Sequence, residues 1–158
     1  MAHESSNRNI LIPVDSSDHS RRAFEWYQAN IKQEGDVLFL VHIVEPQYAT
    51  SAISISDTIK FKMEDMTSKM DSASKKAKEL LQKYIKLAED DRIHTKGIIN
   101  VDNKAGDAII KIASENRVSL VIIGNRGIGT LRRTILGSTS DFILNHANVP
   151  VIIVPPPK

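Results

Sequence analysis

Five apolar runs punctuate the chain, at residues 10–14, 37–44, 93–101, 118–123 and 149–154. Apolar runs without strict alternation are the pattern of strands buried on both faces, as in a parallel sheet. After the first run, Ser16, Ser17 and Asp18 are cap-type residues that predict a helix start. That helix continues through Ala23, Phe24, Tyr27 and Ile31 to Gly35. After the second run, closed by Pro46, residues 47–56 are small and polar without helical or strand period, so 46–57 reads as a flexible loop.

Asp57 then caps a long helix predicted to reach about Ala88. Ile59, Met63, Met66, Met70, Ala73, Ala77, Leu80, Tyr84 and Leu87 recur along it with a 4-3-4-3 spacing. This spacing fits a coiled-coil seam or an amphipathic helix lying on a sheet. Methionine and alanine are poor coiled-coil knobs, which favours the sheet. The third run contains Gly97, an awkward residue inside a strand. A turn at 102–106 precedes a helix at 107–116, and a last helix is expected at 138–145. Three prolines at 155–157 cannot extend the final strand. Five strands alternating with four helices predict an α/β fold, a five-stranded parallel sheet covered on both faces. No repeat or linker interrupts residues 1–158, so one domain is expected, with 1–8 and 155–158 as tails.

Composition narrows the setting. A length of 158 residues suits one domain that buries roughly 68–70% of its unfolded surface. The net charge of +2 gives no argument for nucleic-acid or membrane binding. The absence of cysteine excludes disulfide and thiol chemistry and fits a reducing compartment. No apolar run approaches the roughly 18 residues of a membrane span. Residues 1–9 are polar and lack the apolar core of a signal peptide, so a cytoplasmic location is expected.

Parallel sheets bind ligands beyond the carboxyl ends of their strands, where strand order reverses. The ends to consider are Pro13, Val14 and Asp15; Ile43, Val44 and Glu45; Val101, Asp102 and Asn103; and Gly124 onward. The last is the most informative. From Gly124 the chain runs through Arg126, Gly127, Gly129, Arg132 and Arg133 to Gly137, Ser138, Thr139 and Ser140, which open a helix. Glycines let backbone approach a ligand closely, and a helix N-terminus offers unpaired N–H groups to an anion. Two familiar phosphate signatures fail here. Gly127-Ile128-Gly129 lacks the third glycine of a dinucleotide fingerprint, and Thr130 stands where a P-loop requires lysine. The parts for fast phosphoryl transfer are therefore missing. The bland reading, glycines that merely close a tight loop, accounts less well for the added arginines and hydroxyls.

The spaced glycines, Gly124-x2-Gly127-x9-Gly137-Ser138 with the Ser/Thr-rich helix start, resemble the nucleotide-binding signature of the universal stress protein family. The opening strand into Asp15 and Ser16, the second strand with Val41, His42 and Ile43, and the closing run at 149–154 agree. The resemblance spans about residues 9–155. It implies a Rossmann-like three-layer sandwich of strand order 3-2-1-4-5 and a homodimer through the last strand. In the ATP-binding branch Asp15 would meet the nucleoside, with Pro13 and Val14 lining its pocket and the Ile43 backbone holding adenine. Gly124, Arg126, Gly127, Gly137, Ser138, Thr139 and Ser140 would surround the phosphates. ATP, with magnesium or manganese, is the implied ligand, and ADP or AMP the alternatives. Two departures stand out: Asn103-Lys104-Ala105 replaces a glycine-containing turn of relatives, and Arg126 occupies a position often held by histidine or another polar residue.

Simpler roles remain open for single residues. Asp15 is also placed to cap the first helix. His42 reads as a satisfied core histidine, and His3, His19, His94 and His146 show no metal-ligand spacing. Lys75, Lys76 and Lys78 read as the wet face of the long helix, and Trp26 as packing. Three function classes follow: a nucleotide-dependent stress sensor or switch, a slow ATPase or hydrolase of an adenylated compound, and an interaction protein indifferent to nucleotide.

Overall fold

In the computed structural model, which describes residues 7–46, 58–125 and 136–157 and only the backbone of 58–67, the apolar runs form one parallel sheet. In chain order the elements are β1 (Asn9–Pro13), α1 (Asp18–Asn30), β2 (Val37–Val44), α2 (Thr58–Asp90), β3 (His94–Val101), α3 (Ala105–Glu115), β4 (Leu120–Gly124), α4 (Ser138–His146) and β5 (Val151–Val154). The strands lie in the order β3-β2-β1-β4-β5, and every pairing is parallel. The sheet order and helix count expected from the sequence are those found.

Alternate residues of each strand feed two cores. On one face Ile10, Ile12, Leu38 and Leu40 pack with Phe24 and Tyr27 of α1 and with Leu81 and Tyr84 of α2. On the other, Leu11, Phe39, Val41 and Val121 pack with Ile109 and Ile112 of α3 and Ile143 of α4. The chain leaves β1 toward β2 on one side and later returns to pair β4 on the other. Strand order therefore reverses between β1 and β4, which opens a crevice at their carboxyl ends.

Several boundaries shift for identifiable reasons. β4 starts at Leu120 rather than 118, because the Val118 N–H is spent on the Ala113 carbonyl at the end of α3. Arg117 takes the left-handed turn there at φ 49, as Arg92 does after α2 at φ 58. β5 starts at Val151 because Pro150 has no N–H to give. α3 starts at Ala105, two residues early, with Asp102 Oδ1 accepting the Lys104 N–H just before it. Gly97 has its explanation in α2: a Cβ there would lie 2.9 Å from Ile85 Cδ1.

The long helix packs on the sheet, but not along the whole expected stripe. Ala77 and Tyr84 are buried as expected, whereas Leu87 is 51% and Met70 39% exposed. The buried face runs Ala77, Leu81, Tyr84, Ala88. The packed face keeps the same seven-residue repeat but is turned by one residue on one side, with Leu81 and Ala88 buried where Leu80 and Leu87 were expected, and Leu80 only partly buried against the core. None of residues 68–76 is buried. Asp57, the expected cap, and residues 47–56 lie outside the described residues, as do the side chains of Ile59, Met63 and Met66.

Candidate functional site

The crevice between β1 and β4 is a cavity of about 390 Å3 at the carboxyl end of the sheet, within the roughly 300–1,000 Å3 of small-molecule sites. Four elements supply the residues expected from the sequence. Pro13, Val14 and Asp15 line it from the end of β1, Ile43 from β2 and Gly124 from the end of β4. Gly137, Ser138, Thr139 and Ser140 line it from the start of α4. Arg126 and Gly127 lie outside the described residues.

Asp15 is not the cap of α1; Ser17 is, its side chain accepting the Ser20 N–H. Asp15 instead gathers the turn around its own carboxylate. Oδ1 accepts the Ser17 N–H at 2.8 Å and the Ser17 hydroxyl, with Ser20 Oγ 3.0 Å away. Ser20 Oγ is also 3.2 Å from the hydroxyl of Tyr84 on α2. Burial pushes the Tyr84 phenol above its ordinary pKa, so it stays a neutral hydroxyl. The carboxylate at the cavity wall is thus held by α1 directly and by α2 at one remove.

At the opposite wall, α4 begins with Gly137 in extended geometry, and no side chain among the described residues caps its first turn. The first-turn N–H groups and the side chains of Ser138, Thr139 and Ser140 are donors suited to an anion. Between the two polar ends, Val14, Val41, Ile43, Ile109 and Ile123 make an apolar wall. A hydroxyl-rich, negatively charged ligand with a flat apolar part matches this set of surfaces.

The glycines of the signature differ in what they do. A Cβ on Gly124 would sit 2.0 Å from the His19 carbonyl oxygen, because the backbone of α1 crosses directly over it. A Cβ on Gly137 would have only Ser140 Oγ near it, at 4.0 Å. Gly124 is required by packing, whereas at Gly137 the space is open.

The sequence reading missed Ser17, His19 and Ser20 of α1, and Ala105 of α3, all of which line the cavity. Their only sequence signal was capping chemistry and a turn. His42 also lines it, and its Nδ1 lies 2.7 Å from the Val14 carbonyl, so that nitrogen carries the proton and donates. Nδ1 is thus satisfied, but the residue sits part-buried at the cavity wall rather than in the core expected for it. Among the described residues no group of three His, Cys, Asp or Glu is placed to hold a metal, and no helix is long and apolar enough to cross a membrane.

Comparison with known proteins agrees with this geometry. The sequence model described as the universal stress protein family matches residues 6–155. An uncharacterized protein of Schizosaccharomyces pombe is 31% identical over 96% of the chain, which spans 24% of that protein. A universal stress protein of Mycolicibacterium smegmatis is 24% identical over 98% of the chain, which spans half of its length. Among solved structures, the Methanocaldococcus jannaschii protein MJ0577 superposes with a TM-score of 0.76 at 24% identity, covering 96% of this chain and 97% of that one. A universal stress protein family protein of Arabidopsis thaliana, solved with AMP bound, gives 0.64 at 20% identity, covering 95% and 92%. The family match covers all five strands and the crevice they form: the chain belongs to the universal stress protein family.

Proposed function

We propose that this chain binds ATP in the β1–β4 crevice and works as a nucleotide-dependent sensor or switch in a stress response. The observation that carries the reading is the pairing, across one cavity, of the Asp15 carboxylate with the uncapped start of α4. In this reading Asp15 accepts from ribose hydroxyls, and the Ile43 backbone with Pro13 and Val14 seats the base. Gly124, Arg126, Gly127, Gly137, Ser138, Thr139 and Ser140 surround the phosphates. Magnesium or manganese would screen the triphosphate charge. The AMP bound to the Arabidopsis relative supports a nucleoside monophosphate unit as the common part of the ligand.

A homodimer through β5 belongs to the same reading. β5 is an edge strand of apolar residues, yet Val151, Ile152 and Ile153 are only half-buried, the condition of a strand that pairs with another chain. Isothermal titration with ATP, ADP and AMP, with and without magnesium, tests the binding. Saturable uptake is expected, and no uptake at millimolar nucleotide overturns the reading. Sedimentation with and without ATP tests the dimer and whether nucleotide alters it.

A further inference from the structure

Arg22 of α1 stands just behind the cavity wall in an arrangement that the residues assigned above do not explain. Its Nη2 donates to the Asn125 carbonyl at 3.0 Å and lies 3.2 Å from His19 Nδ1. A guanidinium only donates, so that His19 nitrogen accepts. One neighbour, His19, lines the cavity, and the other, the buried Asn125, directly follows the lining residue Gly124.

Two features set Arg22 apart. First, no carboxylate pairs with it among the described residues, although the side chain is half-buried. Residues 125–140, the segment that Asn125 opens, contain no Asp or Glu at all, and the first acid is Asp141. Second, two buried polar atoms here lack partners: Arg22 Nε, a donor, and Asn125 Oδ1, an acceptor. A half-buried cation without a counter-charge is costly, and buried unsatisfied groups in a folded protein call for an explanation. Both costs fall at the β4 end of the cavity, next to Gly124.

Asn125 is gripped from two sides. Its N–H donates to the Val154 carbonyl of β5 at 2.9 Å, while its carbonyl takes the bond from Arg22. The residue on which the chain departs from the sheet is thereby fixed between α1 and β5. A bound anion nearby would supply a counter-charge that none of the described carboxylates supplies, and the fixed Asn125 would keep the departing backbone in one place.

We propose, resting on the nucleotide reading above, that Arg22 is the positioning residue that makes this cavity prefer a phosphorylated nucleoside over a bare one. It holds the Asn125 carbonyl and lends the phosphate end a positive charge that no carboxylate among the described residues balances. It does so from α1, outside the glycine signature.

The test is titration of the full chain with ATP and with adenosine, in wild type, Arg22→Met, Arg22→Gln and Arg22→Lys. Arg22→Met is expected to weaken ATP about tenfold, the scale of one charge-assisted interaction, and adenosine less than about twofold. A modest fall in its melting temperature is expected, because the bond to the Asn125 carbonyl goes with the charge, so affinities are compared at a temperature where both proteins are folded. Arg22→Lys, which keeps the charge, should recover most of the ATP affinity, and raised salt should narrow the ATP-to-adenosine ratio in wild type more than in Arg22→Met. Should Arg22→Met fail to fold, Arg22→Gln keeps a donor for Asn125 without the charge, and the same selective loss of ATP over adenosine affinity is expected of it. Unchanged ATP affinity, or equal losses for ATP and adenosine, overturns the role assigned to Arg22 while leaving nucleotide binding intact. Wild-type protein that takes up neither ligand overturns both.

Discussion

Replacing Gly124 by alanine separates packing from ligand approach within one motif. The added Cβ would stand 2.0 Å from the His19 carbonyl oxygen and 2.5 Å from its carbon. Both are backbone atoms, so no rotamer change relieves the clash. To regain ordinary contact at about 3.4 Å, α1 must retreat by roughly 1.4 Å. That helix carries Ala23, Phe24 and Tyr27, all essentially inaccessible to solvent, so the retreat opens one core to relieve one methyl group. Overpacking costs about 1–3 kcal/mol, and a backbone collision belongs at the top of that range. In a chain of this size about 3 kcal/mol lowers the melting temperature by about 6–12 °C. Gly137→Ala is the control: among the described residues its Cβ meets only Ser140 Oγ, at an ordinary 4.0 Å, and its stability change is expected to stay below about 1 kcal/mol. Thermal and urea unfolding by circular dichroism measure both. ATP titration is expected to show Gly124→Ala weakened through the displaced Ser17 and Ser20, and Gly137→Ala weakened only by the methyl group in the ligand's space. A Gly124→Ala protein within about 0.5 kcal/mol of wild type would refute the packing argument, as would equal losses for the two variants.

Other consequences concern stability away from the cavity. Asp36 is buried beneath the sheet, where it accepts two bonds from Arg8 at 2.8 Å, one from the Tyr27 hydroxyl and one from the Gln33 N–H, both at 2.9 Å. Burial alone would raise its pKa, but the bonds from Arg8, Gln33 and Tyr27 outweigh it and hold the carboxyl below its ordinary value. Its contribution is therefore complete above the unfolded value near about pH 4 and is lost as pH falls through the lower folded value. Asp36→Asn should cost about 3 kcal/mol at neutral pH and flatten the acid limb of stability; an acid limb identical to wild type would defeat this. Arg92 and Arg117 adopt left-handed backbone at helix ends, where glycine is at ease. Arg92→Gly and Arg117→Gly should each gain about 0.5–1 kcal/mol, and a lower melting temperature in either would count against the strain. Tyr84→Phe keeps the edge-on contact with Phe24 but leaves Ser20 Oγ without that hydroxyl, so urea melts should show a loss of about 1 kcal/mol.

The sheet was legible because its strands are covered on both faces and so read as uninterrupted apolar runs. Its order followed from the resemblance carried by the spaced glycines, while the cavity residues at 13–15, 43 and 124 were marked by the carboxyl ends of the strands and those at 137–140 by a helix start. What escaped was everything decided by contacts distant in sequence. Ser17 and Ser20 reach the cavity through bonds to Asp15, but His19 does so where α1 lies across Gly124, and Arg22 meets Asn125 across 103 residues. Nothing in a run of sequence marks such a crossing. The start of β4 was misplaced because Arg117 adopts a left-handed turn for which sequence leads one to expect glycine or asparagine. On α2 the apolar residues Leu80 and Leu81 are adjacent in sequence, and only packing on the sheet decides that Leu81 and Ala88 rather than Leu80 and Leu87 complete the face of Ala77 and Tyr84.

These misses converge on α1. The helix touches the carboxylate end of the cavity through Ser17 and Ser20, and the glycine end through the His19 carbonyl over Gly124 and Arg22 on Asn125. The spaced glycines are therefore not a phosphate motif alone. Their first member seats the helix that also positions Asp15, so a side chain placed there alters the far wall as well as the near one. A relative that lost only this glycine would have to reseat α1 before any question of phosphate contact arose. One that lost only the glycine at the start of α4 would keep both walls and merely narrow the space between them. The two ends of the cavity are joined by one rigid element, and the sequence signature registers that junction as a single residue without a side chain.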